Sequence, residues 1–148
     1  MLFRSQRITE MAGQLMKVAA ERQVKEAPRL TVPPGLYAEF CARFPYQETE
    51  DQERTISEVL ADLASGRPMD RLVCGDVGFG KTEVALRSAF VAALAGKQVA
   101  VIAPTTLLVR QHVKLFKKRF ADWPVRIAQL SRLNKPSEAT EIKDRKST

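Results

Sequence analysis

Eight consecutive residues, Gly75, Asp76, Val77, Gly78, Phe79, Gly80, Lys81 and Thr82, satisfy the pattern GxxxxGK[ST]. In such a run the glycines let successive backbone N–H groups turn toward one centre. A helix opening at the last two residues adds the positive end of its dipole. That chemistry suits the phosphates of a purine nucleoside triphosphate, and ATP is the expected one. Lys81 is spaced to reach the β and γ phosphates, and the Thr82 hydroxyl to complete the coordination of Mg²⁺. A glycine-rich turn with no ligand is the alternative. Glu83 also has two readings, contact with an attacking water or the polar edge of the helix, of which the second fits its place better.

The elements that must hold this loop follow from the pattern on either side. Arg71–Cys74 reads as a short strand entering the loop, and Lys81–Leu94 as an alanine-rich helix apolar over most of its circumference, closed by Gly96. Gln98–Ala103 is a continuous apolar run, as for a strand covered on both faces, and Pro104 ends it. A helix from about Thr106 to Phe120 and a third strand, Val125–Leu130, come next. Strands alternating with helices predict an α/β fold with right-handed crossovers and a parallel sheet. Upstream, Ile8, Met11, Leu15 and Val18 form one stripe of an amphipathic helix running to about Glu26. Pro28, Pro33, Pro34 and Gly35 mark a connector, and a short helix spans Leu36–Phe44. A further helix starts at Thr49, buries Ile56, Val59, Leu60 and Leu63, and ends at Gly66–Pro68.

The 148 residues suffice for one ordinary domain, and 45% hydrophobic with 28% charged residues is the balance of a soluble globular chain. The longest apolar stretches, near 88–95 and 99–104, are too short for a membrane span. The N-terminus has no apolar segment with a cleavage site, so a cytoplasmic location without membrane contact is expected. Cys41 and Cys74 have no CxxC partner or histidine cluster. The net charge of +7 permits a polyanionic partner.

Both ends look foreign. Met1–Ser5 can be encoded by GTG CTC TTC CGA TCT and Asp144–Thr148 by GAT CGG AAG AGC ACN, near reverse complements that match a sequencing-library adapter. Residues 1–5 and 144–148 are therefore expected to be adapter-derived, leaving Gln6–Lys143 as the authentic chain. Without Arg4, Arg145, Lys146 and Asp144 the charge falls from +7 to +5. Different codons at either end would sink this reading.

Phe44–Leu133 closely resembles the first RecA-like motor domain of the bacterial transcription-repair coupling factors, which are superfamily 2 translocases. The run from Arg67 through the phosphate loop to Glu83 reads like that family's motif I. Phe79 together with Glu83 separates it from RecG-type fork-remodelling helicases. The resemblance implies an incomplete P-loop NTPase domain over 44–143, with residues 6–43 as the helix, linker and short helix before the motor. It also implies that Phe44-Pro-Tyr-x-x-Thr49-x-x-Gln52 is a Q motif, Tyr46 replacing a phenylalanine. Phe44 would stack on adenine and Gln52 would hydrogen-bond its edge. Thr49-x-x-Gln52 is equally a capping box, and both roles are compatible through Thr49.

Ala103–Leu108 looks like motif Ia. The resemblance places Thr105 and Thr106 on the phosphates of a tracked DNA strand, where an ordinary helix cap is the rival reading. Arg110, Lys114, Lys117, Lys118 and Arg119 give the following helix a basic polar face. Ser131 and Arg132 resemble the next DNA-contacting loop. The implied activity is ATP-driven translocation on double-stranded DNA that displaces stalled RNA polymerase and recruits an excision-repair damage-recognition protein. A RecG-type helicase fragment and a non-catalytic nucleotide-binding module are the alternatives.

A working motor also needs an acidic strand end to hold Mg²⁺ and a second RecA-like domain with an arginine finger. After Thr82 the carboxylates before residue 144 are Glu83, Asp122, Glu138 and Glu141, none in a D-E-x-H context. The chain alone is therefore expected to bind nucleotide without substantial turnover, and to suffer from an open sheet edge.

Overall fold

In the computed structural model the described residues are 2–131, 134, 137, 140 and 142. Within residues 2–131 the helices are α1 (Leu2–Val24), α2 (Pro34–Ala42), α3 (Glu50–Ala64), α4 (Lys81–Leu94) and α5 (Thr106–Arg119). Each start has a local cause. Pro33 precedes α2, whose first position is Pro34, where the missing N–H costs nothing. Thr49 caps α3 by accepting from the Gln52 N–H while the Gln52 side chain accepts from the Thr49 N–H, a complete capping box. Glu50, Asp51 and Glu53 then line the positive end of that helix. Thr105 caps α5 through the Leu108 N–H, and Lys117 and Lys118 lie in its last turn, at the negative end.

The proline connector is tied down rather than loose. Ala27 and Leu30 donate their N–H groups to the carbonyls of Gly66 and Leu63, each at 2.9 Å, which satisfies acceptors at the C-terminal end of α3. Arg71 extends this side of the molecule through ion pairs to Glu58 and Asp62, both at 2.6 Å.

Helix α4 is the centre, packing against α3 and α2. Its Leu86, Ala89 and Phe90 join Phe40, Phe116 and Phe120 in the larger core cluster, and Val84 joins Ile56 and Val59 in a smaller one. The larger cluster is mainly aromatic. Phe40 stacks on Phe90 at 4.1 Å, and Trp123 meets Phe90 edge-on at 4.6 Å. Such pairs add to the area they bury about 0.5–1.5 kcal/mol each.

The parallel sheet expected from the sequence is absent among the described residues, where no strand ladder forms. Strand character is conferred by neighbours that supply ladder hydrogen bonds and cover the faces. In the apolar run 98–103 the faces are uncovered: Val99, Val101 and Ile102 are exposed, the last by 93%. Leu72, in the segment entering the phosphate loop, is likewise 86% exposed. The third segment comes nearest to a strand, with Val125 and Ile127 packed on the core and residues 126, 128 and 130 facing out. Helix α1 is a second departure. It forms, but Ile8, Met11, Leu15 and Val18 all remain exposed, and an ion pair from Arg22 to Asp70 ties its end to the chain before the loop. No helix among the described residues is long and apolar enough to cross a membrane.

Candidate functional site

The loop of residues 75–80 turns on Gly78 and Gly80, at φ 89° and 83°, a region in which side chains are strained. At Gly80 a Cβ would also lie 2.5 Å from Gln52 Nε2, so a side chain there would be strained by the backbone and would displace the Gln52 amide. Phe79 is half-buried, while Asp76 and Val77 are exposed at the loop's rim. Lys81 folds back over the loop, its ammonium donating to the carbonyls of Gly75 at 2.5 Å and Asp76 at 2.8 Å. Thr82 follows, half-buried in the first turn of α4.

Helix α4 starts differently from α3 and α5. Those two have threonine caps, whereas α4 begins at Gly80 with no side-chain cap. An uncapped helix start beside a glycine-rich loop and an ammonium fits a polyphosphate, which supplies the missing acceptors. The Thr82 hydroxyl is an oxygen donor of the kind a hard divalent cation takes.

Gln52 joins the loop to α3. Its Oε1 accepts from the Thr49 N–H, and its Nε2 donates to the Phe79 carbonyl. The cap and a contact with the phosphate loop are thus made by one amide. Phe44 is half-buried, its ring lying 5.7 Å from the Arg87 guanidinium carbon and edge-on to Tyr46 at 5.5 Å. Tyr46 is 73% exposed.

Glu83, placed beside the nucleotide or at the polar edge of the helix by the sequence, is found at neither a free edge nor the loop's rim: it is buried, its Oε1 accepting from Arg87 Nε at 2.9 Å and Arg119 Nη2 at 2.8 Å. Arg87 Nη2 also donates to Glu48. The spacing placed Arg119 on the basic face of α5, and that too is corrected. It is buried, with its guanidinium 4.5 Å over the Phe40 ring. Arg110, Lys114, Lys117 and Lys118 do stay exposed.

Thr105 serves as the α5 cap, and Thr106 is half-buried behind it. Ser131 clasps a turn, its N–H and hydroxyl both donating to Asn134 Oδ1 at 2.7 and 3.0 Å. Arg132 lies outside the described residues, as do Glu138 and Glu141.

The sequence reading missed the network of Glu48, Glu83, Arg87 and Arg119. Its signal was present. Opposite charges four residues apart on a helix too apolar to be solvated must pair with each other or with a neighbour.

Residues 49–147 match the family model of the DEAD/DEAH box helicases, and the chain belongs to that family. Its relatives narrow the likeness. It is 50% identical over 137 residues to the transcription-repair-coupling factor of Myxococcus xanthus, 47% over 138 to that of Escherichia coli K12 and 48% over 134 to that of Bacillus subtilis 168. These alignments cover 90–93% of the chain but only 11–12% of each relative. The resemblance read from the motifs is thus borne out. Among solved structures, RecG bound to a three-way DNA junction superposes with a TM-score of 0.77 and 34% identity, over 86% of this chain and 17% of that one. The RecA-like motor fold is supported by this match and by the family model.

Proposed function

We propose that this chain is the nucleotide-gripping part of a DNA translocase of the coupling-factor type, binding Mg²⁺·ATP. The observation that carries the reading is the phosphate loop itself: left-handed Gly78 and Gly80, Lys81 poised over the loop and a helix start without a side-chain cap. Gly75–Thr82 would wrap the phosphates, Lys81 exchanging its loop carbonyls for phosphate oxygens. Thr82 would ligate Mg²⁺, which when bound would neutralise charge on the β and γ phosphates. Phe44 and Gln52 would face the adenine, Gln52 through whatever capacity its cap and loop bonds leave. Thr105, Thr106, Arg110, Ser131 and Arg132 would follow the backbone of one strand of double-stranded DNA, supported by the exposed basic residues along α5.

In the complete domain the segments 71–74, 98–103 and 125–130 would pair as a parallel sheet once neighbouring strands cover them, with residues 6–43 leading into the motor. The whole protein would work in the cytoplasm, displacing stalled RNA polymerase and bringing in an excision-repair damage-recognition protein. The superposition on RecG favours a second reading, a fork-remodelling helicase. The higher identity to coupling factors, extending across 93% of the chain, ranks it second.

Calorimetric titration with ATP, with and without Mg²⁺, tests the core of the proposal. The unaltered chain should bind, and Lys81→Ala should bind at least about tenfold more weakly for want of a charge-assisted hydrogen bond. Equal affinity of the two chains would refute it.

A further inference from the structure

Arg87 lies on α4 beyond the phosphate-binding end, and its side chain is only 7% exposed. Three of its attachments meet here. Its Nη2 donates to Glu48, its Nε donates to Glu83 at 2.9 Å, and its guanidinium carbon stands 5.7 Å from the Phe44 ring centroid. Arg119, on α5, shares the Glu83 oxygen and stands 5.9 Å from the same ring. Two arginines joined through Glu83 thus converge on the segment that runs from Phe44 to Gln52, which itself carries Glu48.

That segment is held at both ends. Phe44 and Glu48 are fixed by Arg87, while Gln52 closes the α3 cap and bonds the Phe79 carbonyl of the phosphate loop. Between them Tyr46 stays 73% exposed and packs edge-on against Phe44. Apolar side chains of similar volume would pack these helices equally well, since burying ion pairs costs desolvation that their attraction does not always recover. What a planar guanidinium adds is direction, because its donors diverge at fixed angles, here one toward Glu48 and another toward Glu83.

We infer that Arg87, acting through Glu48 and Phe44, is a positioning residue for nucleobase recognition: it sets the Phe44–Gln52 segment against the phosphate loop so that the base, as distinct from the phosphates, is gripped. The inference rests on the nucleotide-binding reading above. The Glu48 carboxyl is held below the usual carboxylate range by its hydrogen bond to Arg87, so the pair is charged at neutral pH. Lys81, which would hold the phosphates, bonds the carbonyls of Gly75 and Asp76 instead of this network, so loss of the Arg87–Glu48 bond should bear on the base more than on the phosphates.

Titration of the chain with ATP and, separately, with inorganic tripolyphosphate at fixed Mg²⁺ tests the inference in Glu48→Gln, Arg87→Met and the double variant. The expected result is ATP affinity lowered about tenfold in each single variant, with tripolyphosphate affinity unchanged. The double variant should be no weaker than Arg87→Met, because both substitutions cut one connection. A parallel fall for ATP and tripolyphosphate, no change for either, or additive losses would overturn the positioning role. If Arg87→Met loses its helical circular dichroism, Glu48→Gln, at a partly exposed position, decides alone. An unaltered chain that binds tripolyphosphate as tightly as ATP overturns base gripping only. One that binds neither removes the phosphate-loop reading and this inference with it.

Discussion

Glu83 follows Thr82 directly, yet the two side chains serve different parts of the molecule. One step along the helix separates a hydroxyl placed for the nucleotide from a carboxylate sunk between Arg87 and Arg119. Truncating Glu83 leaves two guanidinium groups buried without their shared acceptor, and the cost of breaking such a buried set is about 3–5 kcal/mol. Glu83→Ala should therefore lower the urea midpoint sharply, whereas Glu83→Gln, still able to accept a hydrogen bond, should lower it less. A neutral Glu83→Ala would mean that the carboxylate faces the nucleotide after all.

At the scale of elements, α3 and α4 form the frame of the site. The α3 start serves twice, since Gln52 closes the capping box and reaches the Phe79 carbonyl. Thr49→Ala removes the oxygen that accepts the Gln52 N–H and should destabilise the chain by about 1 kcal/mol. It should also loosen the phosphate loop, read as faster hydrogen exchange at residues 75–80. Replacement of Thr105 by alanine removes an equivalent cap on α5 and should leave exchange in that loop unchanged. Acceleration by both variants would show that general weakening, rather than the Gln52 connection, is responsible.

The molecule as a whole is a helical core with apolar segments left on its surface. Leu72, Val101 and Ile102 are exposed together with the stripe of α1, although a folded chain ordinarily keeps such residues in small patches. Segments of this composition, unpaired and unprotected, favour association. The chain should elute at an apparent mass that rises with concentration, and the double variant Leu72→Lys with Ile102→Lys should elute nearer the monomer. Concentration-independent monomeric elution of the unaltered chain would contradict the exposure described here.

The phosphate loop was legible from residue types alone, because left-handed glycines, a lysine and a helix start can be set only at one spacing. The helix limits were legible too: Thr49 and Thr105 are local caps, and Gly66, at φ 79°, is a local stop. Tertiary structure decided what no local signal contains. It paired Glu83 and Arg87 with Glu48 and Arg119, partners far apart in sequence, and so turned a residue beside the nucleotide loop into part of the core. It also decided the apolar runs 71–74 and 98–103, whose hydrophobicity suits a strand but whose ladder has to come from neighbouring chain. A helix carries its hydrogen bonds within itself, and a strand does not.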